Sequence, residues 1–257
     1  MTILLSIMIG MLAGILGAIL GIGGGIIMLP LSDLLLGFDS ATVVGTTLFA
    51  VFFTAASGSY GHFKKGNVNI KSALLVGTGG VIGLLPGSYL FKNHLSTNME
   101  LLESLLGFLF LFFALRIGFD FFREWRGNSN KQQKDNNKKN NNVLKPLLLG
   151  IITGMFSGVL GIGGGFIMVP GLLMLFAITP IQAVGTSLFA MMPISGIGGL
   201  IKLFQGFVNL PVGIFLGVGT IIGAQIGVYI SGRIKPLAFK GLFTFLFLYL
   251  AFSYLIK

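Results

Sequence analysis

Two pentapeptides, Gly21-Ile22-Gly23-Gly24-Gly25 and Gly161-Ile162-Gly163-Gly164-Gly165, carry most of the chemistry this sequence offers. Consecutive glycines accept left-handed backbone, so several N–H groups can converge on one point. A helix starting just after such a turn, from Ile26 in the first case, aims its positive N-terminal end at that point. The combination binds an anion without a buried cation. Gly23, Gly24, Gly25, Gly163, Gly164 and Gly165 are therefore candidate substrate-binding residues. Small residues also permit close helix contact, but packing alone would accept Ala or Ser, and all five residues recur.

A second repeated cluster follows each turn: Gly45-Thr46-Thr47 and Gly185-Thr186-Ser187. The hydroxyls of Thr46, Thr47, Thr186 and Ser187 have two readings of equal standing. They donate to an oxyanion or line a hydrated path, or they bond back to carbonyls of their own helix and are silent. Pro30 and Pro170 are expected to end or kink the helix after each turn. Asn69 and Asn209 read as N-caps. Gln182, Gln225, Lys202 and Gln205 are polar positions of the second copy, which either make the halves unequal or sit at the membrane interface.

Catalysis has little to work with. There is no His-Glu-x-x-His, no Gly-x-Ser-x-Gly and no paired intramembrane aspartate. His62 and His94 lie beside loops without partners at ligand spacing and read as interfacial histidines. Arg116 and Asp120, at i and i+4, read as a local pair near the membrane surface. The chain has no cysteine, so thiolate metal sites and sulfur relays are absent. No enzyme activity, cofactor or metal is expected.

The elements that must position these residues belong in a lipid bilayer. Of 257 residues, 54% are hydrophobic and 9% charged, against about 25% charged in soluble domains. The mean hydropathy is +0.94. Such a chain cannot cover a globule with polar groups, which excludes a water-soluble enzyme. The net charge of +10 is a topology signal rather than a nucleic-acid signature, since Arg123, Arg126, Lys131, Lys134, Lys138, Lys139 and Lys145 crowd into one polar tract. Residues 123–145 are expected to form a basic, Asn-rich cytoplasmic linker, with Trp125 at its start as an interfacial anchor. The N-terminus lacks a basic region and a cleavage pattern, so the first segment is expected to stay in the mature protein.

Laid over itself, the sequence aligns Gly14–Tyr89 with Gly154–Tyr229 without a gap. The chain therefore reads as an all-α integral membrane protein of two homologous repeats, 1–122 and 146–257. Each has about four apolar segments: 3–37, 40–61, 72–91 and 101–122, then 146–177, 181–204, 210–231 and 237–256. The last three of each copy suit one crossing of a hydrocarbon core about 30 Å thick. Residues 3–37 as one helix would be about 52 Å long. The glycines break it, which predicts a re-entrant hairpin of two partial helices inside the membrane.

If that segment re-enters, each copy crosses three times and the second copy is inverted. If it spans, each crosses four times and the copies are parallel. The basic loops favour inversion. Lys64, Lys65, Lys71, the linker, Arg233, Lys235 and Lys240 then lie inside, with Lys92, Lys202 and Lys257 outside. Inverted repeats are the architecture of many secondary transporters.

The sequence resembles the sulfite exporter (TauE/SafE) family of membrane permeases. The resemblance rests on Gly14-x6-Gly21-Ile22-Gly23-Gly24-Gly25-x4-Pro30 and its match from Gly154 to Pro170, with Val44–Leu48 and Val184–Leu188 following. It implies a plasma-membrane transporter of small sulfur-containing anions such as sulfite or an organosulfonate. The leading expectation is thus a secondary transporter that moves a small anionic substrate by alternating access, with the bilayer as its solvent. The alternatives are a passive channel for anions or small solutes, and a membrane anchor or assembly factor for sulfur metabolism. The channel predicts flux without counterflow. The anchor predicts that the linker matters more than the turns.

Overall fold

The computed structural model describes residues 2–126, 143–176 and 178–231, and residues 244–245, 247–249, 251–252 and 254–255 of the C-terminal segment. The described residues are helical with no strand. Residues 127–142 of the expected linker, Arg233, Lys235, Lys240 and the side chains of Asp120 and Trp125 lie outside them, as does the expected Arg116–Asp120 pair.

Each first segment divides at its glycines. Helices α1 (Thr2–Leu20) and α2 (Gly25–Leu36) flank the first turn, and α6 (Leu144–Leu160) and α7 (Gly165–Leu175) flank the second. The arms are unequal. At 19 residues, or about 28 Å, α1 is long and apolar enough to cross a membrane, whereas α2 has 12 residues. The expected pair of partial helices is therefore a long arm followed by a short one. Pro30 and Pro170 sit inside α2 and α7 without ending them.

The longer helices are α3 (Ser40–Lys64), α4 (Ile70–Leu90), α5 (Met99–Trp125), α8 (Pro180–Phe204) and α9 (Leu210–Ile230). A π-helical turn, Phe91–Leu95, extends α4. Among the described residues, five helices have the length and hydropathy of a membrane span: α1, α3, α4 with its π turn, α8 and α9. Their starts follow from local chemistry. Asp39 accepts from the N–H of Thr42 (2.9 Å) to cap α3, and Asn69 accepts from Ser72 (3.0 Å) to cap α4. Thr179 and Gln182 form a reciprocal capping box on α8, and Asn209 caps α9 through Val212 (3.3 Å).

Glycine seams set the packing. A Cβ placed on Gly219, Gly223 or Gly227 of α9 would strike the carbonyl of Ile7, Met11 or Ile15 of α1. The numbers rise together, so α1 and α9 are parallel with their backbones in contact, as small residues allow. The α4–α6 seam repeats this at the matched positions of the other copy, with Gly79, Gly83 and Gly87 against Leu147, Ile151 and Met155.

Helix α9 also runs parallel to α3, with Gly213 against Phe49 and Gly217 against Phe53. Likewise α4 runs parallel to α8, with Gly77 against Ala190 and Gly80 against Ile194. Where α3 and α8 meet, Leu48 faces Gly198 and Leu188 faces Gly58, so these two helices are antiparallel. Apart from α5, the helices from α1 to α9 thus form two bundles, α1–α2–α3 with α9 and α6–α7–α8 with α4. Each bundle completes itself with a helix from the other copy.

Candidate functional site

Both turns are built from backbone that only glycine adopts readily. Gly21, Gly23 and Gly24 have φ of 73°, 74° and 77°, and Gly161, Gly163 and Gly164 have 70°, 84° and 75°. The carbonyl of Gly24 accepts from the N–H groups of Ile27 (3.0 Å) and Met28 (2.9 Å), which starts α2. Gly164 accepts from Ile167 and Met168 (both 3.2 Å) to start α7. The N–H groups just before these have no partner within the helix. They supply the positive end that the sequence predicts at Gly24, Gly25, Gly164 and Gly165.

The structure brings the two turns together. A Cβ on Gly25 would meet the carbonyl oxygen of Ile162 at 2.6 Å, and one on Gly165 would meet the carbonyl of Gly21 at 2.5 Å. Val51 of α3 and Met191 of α8 both close on Gly23 and on Gly163. All these glycines are buried. Two helix N-termini therefore converge at one place, between the midpoints of α3 and α8.

The four hydroxyls are spent on joining the two copies, Thr46 and Thr186 within a bundle and Ser187 and Thr47 between bundles. The Oγ1 of Thr46 accepts from the N–H of Asn209 (3.0 Å), and that of Thr186 accepts from Asn69 (2.9 Å). Each thus ties the loop before α9 or α4 to the opposite copy. Ser187 Oγ lies 2.7 Å from the carbonyl of Gly21 and 2.8 Å from that of Val184. Thr47 Oγ1 donates to Val43 (2.8 Å), with the carbonyl of Gly161 at 3.4 Å. The bond back to the parent helix is present at Thr47 and Ser187, and contact with a turn accompanies it. Gln225 Nε2 donates across the α3–α9 contact to the carbonyl of Ser57 (2.8 Å).

Sequence reading missed two buried groups. His62 and Lys202 occupy matched positions of the two copies, and both are buried rather than interfacial. His62 Nε2 lies 3.1 Å from the carbonyl of Ala18 in α1. The alignment of the copies was the available signal, because it superposes one titratable side chain on the other. Two carboxylates were also passed over: Asp33 in α2, and Glu103 in α5, which accepts from Ser40 Oγ (3.2 Å).

A separate open cleft of about 360 Å³ lies between α3 and α8, lined by Phe49, Phe52, Phe53, Met192, Pro193 and Leu200. Its one hydroxyl, Ser195, donates to the carbonyl of Met191 (2.7 Å). Such a lining suits hydrocarbon and offers nothing to an anion.

Several membrane-length helices packed around facing broken segments are the build of a membrane transporter. Residues 6–254 match the family model for the sulfite exporter TauE/SafE, and the chain belongs to that family. It is similar to "Probable membrane transporter protein YdhB" of Bacillus subtilis, 26% identical over 227 residues, which cover 86% of each chain. It is also similar to "Probable membrane transporter protein MJ0441" of Methanocaldococcus jannaschii, 27% identical over 248 residues, or 90% of this chain and 87% of that one. No solved structure matches.

Proposed function

We propose that the protein is a secondary transporter that moves a small sulfur-containing anion, such as sulfite or an organosulfonate, across the plasma membrane. The observation that carries this reading is the meeting of the α2 and α7 N-termini at two facing glycine turns. Backbone N–H groups of Gly23, Gly24, Gly25, Gly163, Gly164 and Gly165 hold the anion's oxygens once the turns separate. Thr46, Thr47, Thr186 and Ser187 act as supporting donors. The contacts of Ser187 with Gly21 and of Thr47 with Gly161 cross the bundle interface and would open with it, while Thr46 and Thr186 stay bonded within their bundles.

Helix directions support the inverted arrangement. Helices α3 and α8 are counterparts in the two copies and antiparallel to each other, while α1 and α6 each run parallel to the third helix of the other copy. With α1 and α2 forming a hairpin, both termini lie outside and residues 123–145 lie in the cytoplasm. Tags at the two termini should be reached by an impermeant reagent on intact cells. Protection of both would contradict the inverted reading.

The moving bodies are the two bundles rather than the two sequence copies. Helix α4 packs on α6 and α8, and α9 on α1 and α3, so the third helix of each copy would move with the other copy rather than with its own in a rocking of one repeat against the other. No nucleotide-binding motif is present in the sequence, so the energy comes from an ion gradient or the membrane potential. An inside-negative potential drives an anion outward by about 2.3 kcal/mol per charge per 100 mV, which favours export. Proteoliposomes challenged with sulfite, sulfate, thiosulfate and sulfonates test the substrate class. Saturable flux of at least one is expected, and no flux of any would end the proposal.

A further inference from the structure

Lys202 lies in the last turn of α8 and is 0% exposed. A lysine this close to a helix end ordinarily sends its four-carbon stem out to water. The stem instead turns inward, although Phe204, two residues on, is 88% exposed. Its Nζ has no hydrogen-bond partner among the described residues. It rests 3.1 Å from the centroid of the Phe91 ring, at the start of the π turn, and Phe91 is itself buried edge-on against Phe207. An aromatic face attracts a cation but cannot neutralise it. An intramembrane ionisable group without a counter-charge is costly, so its retention calls for a function.

The position on α8 indicates which function. Ser187, Met191, Ser195, Gly198 and Lys202 are all buried and follow one another at intervals of three or four residues, so they share one face of the helix. Ser187 touches the first turn, and Met191 closes on both. Lys202 lies eleven residues beyond Met191, or about 16 Å along the axis.

We propose that Lys202 is a second, fixed-charge contact for the transported anion, placed between the glycine turns and the water at the C-terminal end of α8. The proposal rests on the reading of the protein as a small-anion transporter. An ammonium offers three donors and no acceptor. A small oxyanion supplies both the missing charge and the missing acceptors, in surroundings where that attraction is strong. At the matched position, His62 has a backbone carbonyl as partner. The two ends of the path are therefore unequal.

Lys202→Met and Lys202→Arg, reconstituted in proteoliposomes and assayed with the same anion panel, test the assignment. Lys202→Met should raise the half-saturation concentration by roughly tenfold or more, as expected for loss of a charge-assisted contact. Its melting temperature should match or exceed that of the wild type, since an apolar side chain replaces an unpaired buried amine. Lys202→Arg keeps the charge and should keep saturable flux. Unchanged kinetics in Lys202→Met would overturn the assignment and leave the transporter reading standing. Loss of flux with a lowered melting temperature would mark Lys202 as structural and overturn it too. A folded but inactive Lys202→Arg would show that the amine must shed its proton, which excludes a fixed charge. If the wild type moves none of the anions, the transporter reading and this assignment fall together.

Discussion

Leucine in place of Gly24 or Gly164 should abolish transport. A Cβ at Gly24 would lie 2.6 Å from the carbonyl oxygen of Ala13, and one at Gly164 would lie 2.7 Å from that of Thr153. Both obstacles are backbone, so no side-chain rotation relieves them. Left-handed φ in a non-glycine residue costs about 1–2 kcal/mol, and forcing atoms into a packed site costs about 1–3 kcal/mol more. The total, about 2–5 kcal/mol, falls on the hairpin that aims the helix N-terminus, while the long helices remain intact. Both variants should therefore be made and inserted yet carry no flux. Gly66 and Gly206 provide the control, with φ of 69° and 84° but no atom within 4 Å of the point where a methyl would stand. Alanine there should cost only the backbone strain of about 1–2 kcal/mol and leave flux intact. Normal flux in both leucine variants would refute the role of the turns.

The double substitution Thr46→Val, Thr186→Val should be strongly destabilising, because it removes the bonds that fasten α9 to α3 and α4 to α8 inside each bundle. Each threonine accepts the backbone N–H of the asparagine that caps α9 or α4. Valine preserves the shape and leaves that N–H unpaired, at about 1–3 kcal/mol per site. The two sites share no partner, so the costs should add to about 2–6 kcal/mol, a large part of the usual stability of about 5–15 kcal/mol. Thr47→Val is the contrast. Its hydroxyl donates chiefly to its own helix, so its loss should cost less than the loss of Thr46 or Thr186. Thermal unfolding of the wild type, the two single variants, the double variant and Thr47→Val in detergent decides the matter. A double variant melting with the wild type would mean that these bonds do not hold α9 on α3 and α4 on α8.

Much of this was legible in the residues. Hydropathy and segment length report the solvent, and they placed the helices within a few residues. Asn69 and Asn209 announced two helix starts because a capping side chain acts locally. The glycine pentapeptides announced left-handed turns, since no other residue tolerates that backbone. Partner choice was another matter. Nothing in α4 marks α6 as its neighbour, because the Gly79, Gly83 and Gly87 stripe fits any backbone that presents carbonyls at the same rise. The burial of Lys202 was hidden for a similar reason. A lysine near a helix end can snorkel or turn inward, and only the packing around Phe91 decides between the two. The Thr46 and Thr186 bonds were equally hidden, for each joins residues more than a hundred positions apart.

Counterflow in proteoliposomes most directly tests the claim that the two bundles alternate around a small-anion site. Vesicles preloaded with an unlabelled anion from the panel should take up the labelled anion from outside faster than empty vesicles, overshoot, and saturate with concentration. Flux that rises linearly with concentration and ignores the anion inside would contradict alternating access and make the protein a channel.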